Sequence, residues 1–102
     1  MFKVTLSEQD GKIVATLIGD LDNVASSEAA RGLEPVFERT DCNILIDCSE
    51  LEYISSSGLR ILLNLYKHAR SNGHLVTLKG LSEDVREVFI LGGFLQLFLT
   101  ED

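Results

Sequence analysis

At 102 residues the chain has the length of one domain, expected to span 1–102, and can bury roughly two thirds of the surface its unfolded form exposes. Hydrophobic residues make up 45% of it and there is a single Pro, which excludes a disordered segment. A net charge of -7 argues against nucleic acid and anionic membrane surfaces as partners, because both require clustered Lys and Arg.

The N-terminal Met-Phe-Lys-Val-Thr-Leu-Ser-Glu lacks the long apolar stretch of a signal peptide, and no run approaches the length of a bilayer span. A cytoplasmic location without direct membrane insertion is expected. Cys42 and Cys48 flank one predicted strand, where six residues of extended chain would hold them about 20 Å apart. That is too far for one disulfide or one metal, so both read as core thiols.

Phe2, Val4 and Leu6 alternate with Lys3 and Thr5, the two-residue period of a half-buried strand, and Gln9-Asp10-Gly11 is a turn. The β-branched run from Lys12 to Ile18 pairs back as an antiparallel hairpin and ends in Gly19-Asp20-Leu21-Asp22. Asp22 or Asn23 then caps a helix whose Ala25, Ala29, Leu33, Val36 and Phe37 recur at three- and four-residue steps. Pro35 is poorly tolerated in a helix interior, which predicts a kink or break near Gly32.

Asn43 to Asp47 is short and uniformly apolar, the pattern of a central strand covered on both faces, with an acidic loop after it. A helix beginning near Ser55 places Leu59, Leu62, Leu63, Tyr66 and Arg70 on one side, widened by Ile61 and Leu65, and stops at Ser71-Asn72-Gly73. His74 to Lys79 is the next strand, joined by a right-handed crossover. Ser82, Glu83 and Asp84 open a third helix with Val85, Val88, Phe89 and Leu91 inward, closed by Gly92-Gly93. Phe94 to Leu99 forms a last strand, or a short turn and a strand. The expected fold class is α/β, a mixed sheet of four to five strands with helices packed mainly on one side.

Catalytic and ligand motifs are sparse. The serines at 55–57 lack the glycine of a nucleophile elbow, and neither His68 nor His74 has an obvious orienting partner, so a small serine hydrolase is a remote alternative. No Gly-rich phosphate loop is present. Asp20 and Asp22 read as a capped surface turn rather than a metal site. No cofactor and no metal are expected, and the chain reads as a non-enzymatic binding module.

Ser55, Ser56 and Ser57 stand where a helix begins, and one N-cap accounts for one of them. With Gly58 in the first turn they form a low-relief helix N-terminus that a partner can approach closely and that can hold a phosphate.

These residues carry a resemblance. Asp47-Cys48-Ser49 followed by Ile54-Ser55-Ser56-Ser57-Gly58-Leu59 resembles the phosphorylation segment of the STAS domain of bacterial anti-sigma factor antagonists. There a strand ending in Asp-x-Ser leads through a loop to Met or Ile, Asp, Ser, Ser or Thr, Gly, Leu. Leu17 to Asp22 resembles the family's Gly-Glu-Leu-Asp turn, and Val85 through Phe94 its Val-x-x-x-Phe-x-x-x-Gly helix.

The resemblance implies a STAS fold and a phosphorylation cycle. Ser56 falls on the phosphoacceptor, with Ser55 and Ser57 as alternatives, and Asp22 on a turn aspartate expected beside it. The unmodified protein would bind an anti-sigma factor that is also a serine kinase, freeing sigma factor. Phosphorylation of Ser56 would end the contact, and a serine phosphatase would reset it; ATP belongs to the kinase. The implied partner surface comprises Asp22, Ser55, Ser56, Ser57, Gly58 and Arg60. The family usually has Asp immediately before the acceptor, where this chain has Ser55. Arg60 adds a cation on the same turn, pairing with a phosphate or an acidic partner, or simply solvated. STAS domains also serve lipid-transport ABC complexes and stress-sensing scaffolds, which is the alternative function within the family.

Overall fold

The computed structural model describes residues 1–102. Strand β1 (Phe2–Gln9) pairs antiparallel with β2 (Lys12–Leu21) across Asp10-Gly11, both at positive φ as a tight two-residue hairpin turn requires. Next come helices α1 (Ser26–Gly32) and α2 (Glu34–Phe37), then β3 (Ile44–Ile54), α3 (Ser56–Ser71), β4 (Val76–Lys79), α4 (Glu83–Leu91), a 3-10 turn at Leu95–Leu97 and β5 (Leu99–Glu101).

The five strands lie in the order β1-β2-β3-β4-β5, and every pair after the hairpin is parallel. Right-handed crossovers that always advance in the same direction across a sheet deposit their helices on the same face. The core is therefore one layer between sheet and helices, with Ala15, Leu17, Leu21, Ile46 and Leu78 meeting Ala29, Leu33, Leu62, Leu65 and Phe89. The opposite face carries the registered row Thr16, Asp47 and Lys79.

Strand β3 is central, and Ile44, Leu45 and Ile46 are all buried, as the uniformly apolar run predicts, although Leu45 on the outer face lies outside the main core cluster. Several expectations are corrected. The predicted acidic loop is strand: β3 continues to Ile54, and a register irregularity opposite Thr16 and Ile18 absorbs the extra residues. The helix break near Gly32 is sharp, with Leu33 ending α1 and opening α2, and Pro35 in the first turn of α2, where its missing N–H costs no hydrogen bond. Neither Asp22 nor Asn23 caps α1, which begins after Ala25 without a side-chain cap.

Along α3 the buried line is Leu59, Leu62, Leu65 and Ala69, whereas Arg70 is exposed. Leu91 points to solvent at the end of α4, and β4 starts at Val76 rather than His74. Cys42 and Cys48 are free and buried. Burial, with Asp47 nearby, pushes the Cys48 thiol up to about 12. No helix is long and apolar enough to cross a membrane.

Candidate functional site

The parallel register brings the ends of β2 and β3 side by side, Leu21 opposite Ile54, and the Ser55 N–H extends that ladder by donating to the Leu21 carbonyl at 2.8 Å. Two segments are thereby placed together, the turn at 22–25 after β2 and the first turn of α3 after β3. This is the edge formed by strand carboxyl ends, where loops of α/β sheets build sites.

Each serine has a different environment. Ser55 is the N-cap of α3, extended in backbone and buried, its Oγ accepting the Gly58 N–H at 3.1 Å. Ser57 is half-buried and its hydroxyl donates to Asn23 Oδ1 at 2.7 Å, with Ser26 Oγ at 2.7 Å and Ser55 Oγ at 3.1 Å on its other sides. Ser56, the first residue of the helix, is exposed and its hydroxyl makes no hydrogen bond within the protein. Of three adjacent hydroxyls, one is free.

Gly58 is required by packing. A Cβ there would stand 2.6 Å from Leu21 Cγ and 3.1 Å from the Leu21 carbonyl oxygen, so the first turn of α3 lies directly on the end of β2. Any side chain would push it away.

Asp22 is turned into its own loop. Its Oδ1 accepts the Ala25 N–H at 2.8 Å and its carbonyl accepts the Ser26 hydroxyl at 3.0 Å. It makes no hydrogen bond to Ser56; Asn23 and Ser26 are the residues that join this turn to the serine segment. Sequence reasoning offered Asn23 only as a helix cap and missed Ser26, and the available signal was a second set of small polar residues, Asn23, Ser26 and Ser27, after the other strand. Val24 at the tip of the turn is 88% exposed. Arg60 is exposed and in no ion pair.

The histidines lie elsewhere. His68 Nε2 is 2.7 Å from the Arg39 carbonyl and His74 Nε2 is 3.1 Å from the Thr40 carbonyl, toward the far end of α3. Twelve helical positions separate Ser56 from His68, about 18 Å along the axis. The serines therefore have no histidine within hydrogen-bond reach to act as a base. No group of three His, Cys, Asp or Glu side chains is arranged to hold a metal.

Residues 3–102 match the model of the STAS domain. The chain belongs to the STAS domain family. BtrV of Bordetella bronchiseptica, provisionally named an anti-sigma factor antagonist, is 32% identical over 96 residues, covering 94% of this STAS domain and 83% of BtrV. Among solved structures, an anti-sigma factor antagonist from Mycobacterium paratuberculosis superimposes with a TM-score of 0.85 at 22% identity, covering 99% of this chain and 86% of that one. The Bacillus cell fate determinant SpoIIAA in its phosphorylated form gives 0.71 at 19% identity, covering 98% of this chain and 90% of that one. These structures share the STAS fold, a mixed five-stranded sheet with its helices.

Proposed function

We propose that this STAS domain is an anti-sigma factor antagonist acting in the cytoplasm, whose unmodified form binds an anti-sigma factor serine kinase and whose phosphorylation on Ser56 ends the contact. The observation that carries the reading is the free hydroxyl of Ser56 between two engaged neighbours. The names of BtrV and the Mycobacterium protein support the antagonist role, and the phosphorylated form of SpoIIAA supports modification as the switch.

The geometry favours an interface effect over refolding. A phosphate on Ser56 would sit in the first turn of a 16-residue helix, where unpaired N–H groups and the helix dipole favour negative charge. The modified domain keeps its helix, and the cost falls on the complex. Weakening a contact a hundredfold takes about 2.8 kcal/mol. One added like-charge repulsion across 5 Å at an effective dielectric near 20 costs roughly 3 kcal/mol. Charge alone suffices, before the phosphate is desolvated.

The test is to incubate the protein with a purified anti-sigma factor serine kinase, ATP and Mg2+, and map the modified residue by mass spectrometry. The reading requires phosphate on Ser56 that disappears in Ser56→Ala and is removed by a serine phosphatase. Stable binding to the kinase with no phosphate transferred would contradict it and direct attention to a scaffold or transporter-subunit role.

A further inference from the structure

The switch reading names Ser56 but leaves a question of selectivity, since Ser57 is adjacent and carries the same nucleophile. Resting on that reading, the geometry points to Asn23, assisted by Ser26, as the residue that determines which serine is modified: it holds the Ser57 hydroxyl in an occupied state and so confines phosphoryl transfer to Ser56.

A serine hydroxyl has one proton to donate and two lone pairs to accept with. Ser57 has its proton engaged and its oxygen enclosed. The proton goes to Asn23 Oδ1 at 2.7 Å, the Ser55 hydroxyl at 3.1 Å is free to donate to its oxygen, and Ser26 Oγ, whose own proton goes to the Asp22 carbonyl, stands against it at 2.7 Å. To act as a nucleophile an alcohol must present a lone pair to phosphorus while its proton passes to a base. Ser57 can do neither without breaking this arrangement, and it is half-buried as well. Ser55 is withheld by a different route, being buried as the helix N-cap with its oxygen accepting the Gly58 N–H. Ser56 has no such restraint.

In the transfer confined this way, the Ser56 oxygen forms a bond to the γ-phosphorus of ATP, the bond to the β-phosphate oxygen breaks, ADP leaves, and the hydroxyl proton passes to a base of the kinase. Asn23 takes no part in these steps. It is a positioning residue acting through Ser57, and its carbonyl oxygen is the feature that matters. Asn23→Asp keeps an acceptor at that place, whereas Asn23→Ala removes it.

The experiment compares wild type, Asn23→Ala, Asn23→Asp and the Asn23→Ala/Ser26→Ala double variant with the same purified anti-sigma factor serine kinase, ATP and Mg2+. The ratio of phosphate on Ser57 to phosphate on Ser56 is read by site-resolved mass spectrometry, and circular dichroism checks that each variant is folded. Wild type and Asn23→Asp should carry phosphate on Ser56 alone, while Asn23→Ala and the double variant should raise the ratio at least tenfold. A ratio unchanged in the folded double variant, or wild type modified on both serines, overturns the role of Asn23 and leaves the switch standing. Absence of phosphate from every form overturns the switch reading and this inference with it. A structural role alone would lower melting temperature without moving the ratio. As a kinase-free check, the Ser57 hydroxyl proton should be slow enough in exchange to observe by NMR in wild type and be lost in Asn23→Ala; equal exchange in both also overturns the inference.

Discussion

Ser55 Oγ accepts the Gly58 N–H at 3.1 Å, so the residue standing where the family pattern has aspartate is the N-cap of α3. Asp, Asn and Ser are nearly interchangeable as caps. The helix start is therefore capped in this chain, and no carboxylate stands immediately before Ser56.

That relationship separates two effects at one position. Ser55→Ala removes the cap and leaves the Gly58 N–H unsatisfied, and should destabilise the fold by about 1 kcal/mol. In a domain of this size that corresponds to a fall of about 4–8 °C in melting temperature. Ser55→Asp should keep the melting temperature within a few degrees and raise the rate of phosphorylation at Ser56. Thermal unfolding followed by circular dichroism gives the first quantity, and a phosphorylation time course gives the second.

Gly58→Ala tests the close approach to Leu21. The added methyl meets a side chain that is itself fully buried, with the Leu21 carbonyl behind it, so the clash at 2.6 Å cannot be relieved by a surface rotamer. Overpacking of this kind costs about 1–3 kcal/mol. The better helix propensity of Ala returns at most about 1 kcal/mol, so a net loss of stability is expected in urea unfolding. A variant as stable as wild type would show that α3 can lift off β2 freely.

Cys48 gives a pH dependence with a definite sign. Its thiol pKa is raised from 9.0 to about 12 in the folded state by burial and by Asp47. Its contribution to stability is complete below pH 9 and is lost as pH rises through the interval from 9 to 12, because only the unfolded chain ionises there. Denaturation midpoints of wild type should therefore drop more steeply over that interval than those of Cys48→Val, which carries no titrating group. Parallel curves for the two proteins would argue that the thiol is not desolvated. Both cysteines should also resist alkylation at pH 8 until denaturant is added, being buried.

Much of this molecule can be read from local patterns. Alternation marked β1, the Asp10-Gly11 pair marked the hairpin, Pro35 marked the break after α1, and Ser82 marked the start of α4, where its hydroxyl accepts the Val85 N–H at 3.2 Å. These are short-range signals, each decided within a few residues. The misreadings have a long-range cause. Ser49 to Tyr53 looks like an acidic loop because only pairing with β2 makes it a strand, through Ile18↔Glu50 and Asp20↔Tyr53. The hydrogen bond from Ser57 to Asn23 spans 34 residues and depends on the register of two parallel strands, which no local pattern encodes. Ser56 was singled out by resemblance, and the feature that separates it from its neighbours is which hydroxyls are already engaged.

Whether a phosphate on Ser56 acts at the interface and not on the fold is decided by calorimetric titration of the unmodified and the Ser56-phosphorylated protein against the same anti-sigma factor, alongside their circular dichroism spectra. Superimposable spectra are expected, with an affinity at least about a hundredfold weaker for the phosphorylated form, a difference of about 2.8 kcal/mol. Equal affinities, or a weakened complex accompanied by loss of helix in the free phosphoprotein, would contradict an interface effect.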